Sequence, residues 1–131
     1  MDLNDPIAIS VRGVCNRFGE QVIHDGVDLD VRNGEILGVV GGSGTGKSVL
    51  MRSIIGLKPP EEGEITIFGE SMTSGDSAAQ LDLRRRWGVM FQGGALFSTL
   101  TVAENVQVPL REFYPNLGHK LLDEIAAYKV V

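Results

Sequence analysis

The sequence lacks the features that stabilise secreted miniproteins and membrane spans. Cys15 is its only cysteine, so no internal disulfide can form, and a reducing compartment suits the chain. No stretch approaches the roughly 20 apolar residues that a membrane-crossing helix needs, and the apolar run Ile36 to Val40 passes directly into glycines. Met1 to Pro6, polar and acidic, is unlike a signal peptide. Any work at a membrane is therefore expected to go through a partner. Positive charge is also scarce, with 12 Lys and Arg against 17 Asp and Glu, for a net charge of -5. That balance argues against nucleic acid as a partner, because phosphate neutralisation needs clustered cations. The one dense basic run, Arg84-Arg85-Arg86, reads as a solvated helix face. With 131 residues the chain suffices for one domain with a core, and is too short for two.

What the chain has in excess is glycine. Seventeen residues amount to about 13% against a usual ~7%, without a collagen period. They fall in turns and in one dense cluster. Before that cluster, Ile7, Ile9 and Val11 alternate with Ala8, Ser10 and Arg12, and Val27, Leu29 and Val31 alternate with Asp28, Asp30 and Arg32. Each set reads as a strand with one buried face. With Gln21-Val22-Ile23 between them and Asn33-Gly34 as a turn, the opening residues predict an antiparallel meander. Ile36 to Val40 is apolar without alternation, the pattern of a strand buried on both faces.

Lys47 to Leu57 predicts a helix with Leu50, Ile54 and Leu57 on one side, stopped by Pro59-Pro60. Residues 63–69 predict a further strand, 71–78 a polar loop, 81–86 a short helix and 87–91 a short apolar strand. Thr101 and Glu104 fit a capping box opening a helix that ends before Pro109. A last helix is expected over 117–129, with Leu121, Leu122, Ile125 and Tyr128 as its apolar face.

The chemistry lies in Gly41-Gly42-Ser43-Gly44-Thr45-Gly46-Lys47-Ser48, which matches the phosphate-cradling pattern G-x-x-x-x-G-K-[ST]. Glycines let successive amides curl into a concave set of donors. The helix after the loop adds its unpaired amides and its positive dipole end. Lys47 brings an ammonium to the β and γ phosphates, and Ser48 offers a hydroxyl to Mg²⁺. The strand, loop and helix context that the motif requires is present in order. A dinucleotide site fits worse: its fingerprint does not need the Gly-Lys-Ser ending, and its acidic residue about twenty positions on has no clear counterpart at a strand end.

By these motifs the chain resembles an ATP-binding-cassette subunit, the motor of a membrane transporter. The resemblance rests on GGSGTGKS, VLMRSIIGL, PPEEGEITIFGE and WGVMFQGGALFSTLTVAENVQVPL. GGSGTGKSVLMRSIIGL and FQGGALFSTLTVAENV resemble the bacterial branch that moves phospholipids for outer-membrane lipid asymmetry. The fold implied is α/β, an incomplete P-loop NTPase core with an N-terminal antiparallel β subdomain. Residues 1–35 would be the meander, 36–92 the core as far as Gln92, and 93–131 the start of a helical subdomain.

The resemblance also implies roles. Phe18 would stack on adenine; from the residues alone a core ring is the other reading. Gln92 would touch Mg²⁺ and the attacking water, although by itself it is a polar residue after an apolar stretch. Residues 93–109, with Leu96, Phe97 and Leu100, would receive the permease, or else these side chains fill the core. ATP and Mg²⁺ are the expected ligands. The expected partners are a permease, a second ATPase subunit paired head to tail and, through the complex, a periplasmic lipid-binding component. The expected location is peripheral, on the cytoplasmic side of a bacterial inner membrane.

Beyond the loop the chain departs from the family pattern. It contains no LSGGQ-like signature and no run of four apolar residues followed by Asp-Glu, and His24 and His119 stand in the wrong contexts for a switch histidine. Glu104 reads as a cap rather than a catalytic base. These 131 residues are therefore expected to be one half of the motor, able to bind nucleotide without hydrolysing it. A motor for another cargo, a small kinase with residues 84–86 as its lid, and a non-catalytic binding module are the competing readings.

Overall fold

Twelve-residue strands β1 (Ile7–Phe18) and β2 (Gln21–Arg32) are joined by the two-residue turn Gly19-Glu20. The computed structural model describes residues 6–75 and 77–130, with the backbone alone for Ser77. The acidic start, Met1 to Asp5, and Asp76 of the polar loop lie outside them. β1 also pairs with β3 (Glu62–Ile67), which pairs with β4 (Glu70–Ser71), so the sheet runs β2-β1-β3-β4 and every pairing is antiparallel. Val11 faces Leu29 on one side and Ile65 on the other. Val11, Val14 and Ile65 are fully enclosed, and side chains of this kind contribute about 1.5–3 kcal/mol each on burial.

The meander is therefore two long strands rather than several short ones. Its alternation is broken because the register slips between Val11 and Val14 and again on either side of Asn16. Each slip moves the inward face by a residue.

Helix α1 (Lys47–Ile54) buries Leu50 and Ile54, as their spacing requires. It stops earlier than the sequence suggests, at the C-cap Ile55, and Leu57 is exposed. Gly56, at positive φ, lets the chain leave the helix there. Helix α2 (Ser77–Arg84) begins before the expected position. The arginine run after it is not a plain solvated face. Arg84 donates to the Gly56 carbonyl at 2.8 Å, and Arg86 pairs with Glu70 at 2.8 Å and with Asp82 at 3.3 Å. Asp82 and Glu70 hold the Arg86 guanidinium above its ordinary value.

Two expected strands do not form. Residues 36–40 and 87–91 carry no strand, and Ile36, Val40 and Met90 are 99%, 92% and 96% exposed. An apolar strand of this kind needs a hydrogen-bonded neighbour on each side. Among the described residues no strand of the sheet pairs with either stretch.

The chain divides into two compact units, Met1–Arg86 and Trp87–Val131. In the second, α3 (Val102–Phe113) packs on α4 (His119–Val130). Pro109 does not end α3. Arg111 donates to Gln107 at 2.7 Å within α3, and Gln107 donates to Asp123 of α4 at 2.9 Å. On α4 the buried residues are Leu122 and Ala126, whereas Leu121 and Tyr128 are exposed.

The capping box forms as expected. The Thr101 amide and hydroxyl donate to the Glu104 carboxylate at 2.7 and 2.8 Å, and the Glu104 amide donates back to the Thr101 hydroxyl at 3.2 Å. The backbone and hydroxyl donors of Thr101 hold Glu104 below its ordinary pKa of 4.5. A carboxylate with a depressed folded-state pKa stabilises above its ordinary value, and that contribution is lost as pH falls through the lower one. Thr101→Ala is expected to cost about 1 kcal/mol at neutral pH. In urea unfolding, the gap to the unsubstituted chain should narrow as the pH is taken below the usual carboxylate range. Among the described residues no helix is long and apolar enough to cross a membrane.

Candidate nucleotide site

The glycine-rich loop leads into α1 through two left-handed glycines, Gly44 at φ 78° and Gly46 at φ 92°. Gly46 is the N-cap, no side chain caps the helix, and no acidic residue stands in its first turn. The first turn of α1 therefore carries no carboxylate or capping side chain of its own to compete for its amides, which suits an anion at a helix N-terminus.

Lys47 bends back across the loop. Its Nζ donates to the carbonyls of Gly41 at 2.6 Å and Gly42 at 2.5 Å, and reaches Thr45 Oγ1 at 3.4 Å. The Thr45 hydroxyl itself donates to the Gly42 carbonyl at 2.9 Å. A Cβ on Gly41 would lie 2.8 Å from that hydroxyl oxygen, and one on Gly46 would lie 2.6 Å from both His24 Nε2 and Ile23 Cγ2. At Gly46, which also lies at positive φ, the buried His24 ring makes glycine the fitting residue, whereas at Gly41 a side chain would oblige the Thr45 hydroxyl to turn away.

Beneath α1 lies a buried polar cluster. Asn16 is fully enclosed; its Nδ2 meets His24 Nδ1 at 3.1 Å and Ser53 Oγ at 3.2 Å, while its Oδ1 accepts from Lys58 at 3.1 Å. Because Lys58 can only donate, Oδ1 must face it and Nδ2 must face His24. In this arrangement His24 Nδ1 accepts, so a neutral ring carries its proton on Nε2, the atom beside Gly46. Ser53 also donates to the Val49 carbonyl at 3.1 Å within α1. The helix after the loop is thus bonded to β1, and through Asn16 to His24 of β2.

A cavity of about 370 Å³ is lined by Phe18, Gln21, Ile23, Gly44, Thr45, Gly46, Lys47, Ser48 and Val49. The β1–β2 turn brings Phe18 opposite Gln21. An aromatic ring, half exposed, thus shares one cavity with the loop's lysine and serine. The ring is not a core residue. Gly41, Gly42 and Ser43 stand outside the lining, although Gly41 and Gly42 receive Lys47. Gln92 belongs to the second unit, where it is exposed in a turn.

Leu96 and Phe97 are exposed on the same unit, so core filling does not account for them. The sequence reading missed Gln21, Ile23 and the buried Asn16–His24–Ser53 cluster. Only the position of Gln21 and Ile23 across the turn from Phe18 could have signalled them. It also missed Asn105, whose side chain accepts from the Phe97 amide at 2.8 Å and donates to the carbonyls of Phe97, Leu100 and Thr101 at 3.1, 3.2 and 2.9 Å. That one amide fixes the loop ahead of α3.

The family model described as ABC transporter matches residues 24–130. The methionine import ATP-binding protein MetN of Brucella abortus is 44% identical over 103 residues, covering 79% of this chain and 28% of the relative. The intermembrane phospholipid transport system ATP-binding protein MlaF of Haemophilus influenzae is 34% identical over 122 residues, covering 93% of this chain and 46% of the relative. Among solved structures, the dimeric ATP-binding cassette MJ0796 in a post-hydrolysis state bound to ADP and Pi superposes with a TM-score of 0.79 at 28% identity, covering 92% of this chain and 54% of that one. The chain therefore spans between about a quarter and a half of the length of the proteins it matches. The fold is the α/β P-loop type of these cassettes, with an N-terminal antiparallel β subdomain.

Proposed function

The chain belongs to the ABC transporter family, and on that premise we propose that it is the ATP-binding part of a transporter motor. The observation that carries this reading is the shared cavity, in which Phe18 stands with Lys47 and Ser48. Phe18 offers a ring face for adenine. The amides at the start of α1, with the left-handed glycines before them, receive the phosphates. Lys47 exchanges neutral carbonyl acceptors for charged phosphate oxygens, which bind an ammonium more strongly. Ser48 supplies the chain's hydroxyl to Mg²⁺. That ion would take its remaining ligands from phosphate, water and one or two carboxylates, and among the described residues no cluster of carboxylates stands ready to hold it, so Ser48 is the one protein ligand this site offers. When bound, the ion neutralises charge on the phosphates. Gln92 is the proposed contact to metal and attacking water in the assembled motor.

A relative named for methionine import and one named for phospholipid transport match this chain at 44% and 34% identity. The segment thus serves differing cargoes, and we assign the cargo to the permease. Phospholipid is one cargo compatible with these matches, and a motor for another cargo is supported at least as well, since the methionine importer is the more identical of the two. The proposed partners are a permease and a second motor subunit paired head to tail, on the cytoplasmic face of the membrane, with a periplasmic lipid-binding component if the cargo is phospholipid.

Neither a signature loop nor a run of four apolar residues closed by Asp-Glu is present in these 131 residues; Asp123-Glu124 follows only Leu121-Leu122. We expect saturable Mg-ATP binding by isothermal titration, with phosphate release below about 0.1 per second, under the ~1–1000 per second of typical enzymes. Faster release, abolished by Lys47→Ala, would show that the chain supplies its own catalytic base.

A further inference from the structure

We propose that Lys58 is a positioning residue for the nucleotide base, holding the Phe18 ring from outside the cavity. The inference rests on the reading of Phe18 as the base-stacking surface. Lys58 Nζ stands 5.3 Å from the centroid of the Phe18 ring. Lys58 is not among the residues lining the cavity that Phe18 shares with Lys47 and Ser48. An ammonium over an aromatic ring is attracted by the ring's quadrupole.

The ammonium is itself anchored. It donates to Oδ1 of the fully buried Asn16, whose Nδ2 is taken by His24 and Ser53. The backbone behind it is fixed as well, because the amides of Leu57 and Lys58 both donate to the Arg52 carbonyl, at 2.8 and 3.1 Å. The residues just after Lys58 strap the end of β1. The Glu61 amide donates to the Cys15 carbonyl at 3.0 Å, and the Glu61 carboxylate accepts from the Arg17 amide at 3.2 Å.

Phe18 needs such a hold. It stands beside the β1–β2 turn and is 52% exposed. A ring with free rotamers would have to be ordered at the moment of binding, and that ordering weakens affinity. Lys58 thus links the base end of the site, through Asn16 and Ser53, to the helix at its phosphate end.

The test compares ATP with inorganic tripolyphosphate, which has phosphates and no base, by titration of the full chain. Lys58→Met should weaken ATP about threefold, the scale of a partly exposed cation–ring contact, while tripolyphosphate affinity holds. Lys58→Gln keeps a donor for Asn16 without the charge and should behave like Lys58→Met. Lys58→Arg keeps a cation that stacks on rings and should restore most of the ATP affinity. In a Phe18→Ala background, Lys58→Met should have no further effect.

Equal weakening of both ligands would reduce Lys58 to a structural role and overturn the proposal. An unchanged ATP affinity, or an effect that persists without the ring, would also overturn it. If Phe18→Ala leaves the preference for ATP over tripolyphosphate intact, the Phe18 reading falls and Lys58 falls with it. If that preference drops while Lys58→Gln and Lys58→Met stay silent, only Lys58 falls. Absence of saturable ATP binding to the unsubstituted chain removes both.

Discussion

Replacing Lys47 by alanine is expected to weaken ATP binding by about ten- to a hundredfold, the scale of a hydrogen bond to a charged group. Two consequences of the substitution add together. The ammonium that meets the phosphates is lost, and so is the brace across the loop, since Lys47 holds the carbonyls of Gly41 and Gly42. Gly46→Ala should reach a similar loss by another route. Its Cβ would lie 2.6 Å from His24 Nε2 and from Ile23 Cγ2. His24 is buried and bonded to Asn16, so the ring has nowhere to retreat. Gly44 provides the control. It shares the positive φ, but a Cβ there meets nothing within 4 Å. Gly44→Ala should carry only the conformational cost, about 1–2 kcal/mol, and retain more of the affinity. Isothermal titration of the variants checks this order; equal losses at positions 44 and 46 would refute the assigned role of the His24 contact.

Gly63→Ala is expected to be the most destabilising of these substitutions for the sheet, by about 3 kcal/mol. Gly63 lies at φ 94°, and an added Cβ would lie 2.5 Å from the Gly13 carbonyl oxygen and 2.6 Å from that of Arg12. Both obstacles are backbone, at the register shift where β1 slips against β3 between Arg12 and Cys15. A side chain can rotate away from a clash, whereas this strand cannot move without breaking its ladder. Gly13→Ala makes the comparison, because its Cβ would enter open space, and it should cost only about 1–2 kcal/mol. Urea midpoints of the two variants measure the difference.

The phosphate loop was legible in the sequence because its pattern is local and each position has one chemical task. The capping box was legible for the same reason. Phe18 was legible as an aromatic residue near a turn, but its place in the cavity depends on the hairpin that sets it opposite Gln21. Asn16, His24 and Ser53 were not legible, since they come from β1, β2 and α1 and become a cluster only when those elements meet. The apolar stretches 36–40 and 87–91 misled in the opposite sense. Their composition states a preference for burial between neighbours, and pairing is decided by the neighbours rather than by the stretch. Pro109 misled because a proline inside a helix costs one backbone bond, and α3 carries that cost while its Gln107 is bonded to Asp123 of α4.

The pairing of β1 with both β2 and β3 has a consequence for the order of assembly. β1 and β2 meet across a two-residue turn. β1 and β3 meet only after roughly forty intervening residues have been drawn into a closed loop, which costs chain entropy before any contact is gained. The glycine-rich segment lies inside that loop. On these grounds the hairpin carrying Phe18 is set early, and the anion cradle is shaped late, once β3 has come home against β1. The two ends of the proposed site would then be built at different times, with the contacts of Asn16 and Lys58 between them to bring the early part and the late part into register.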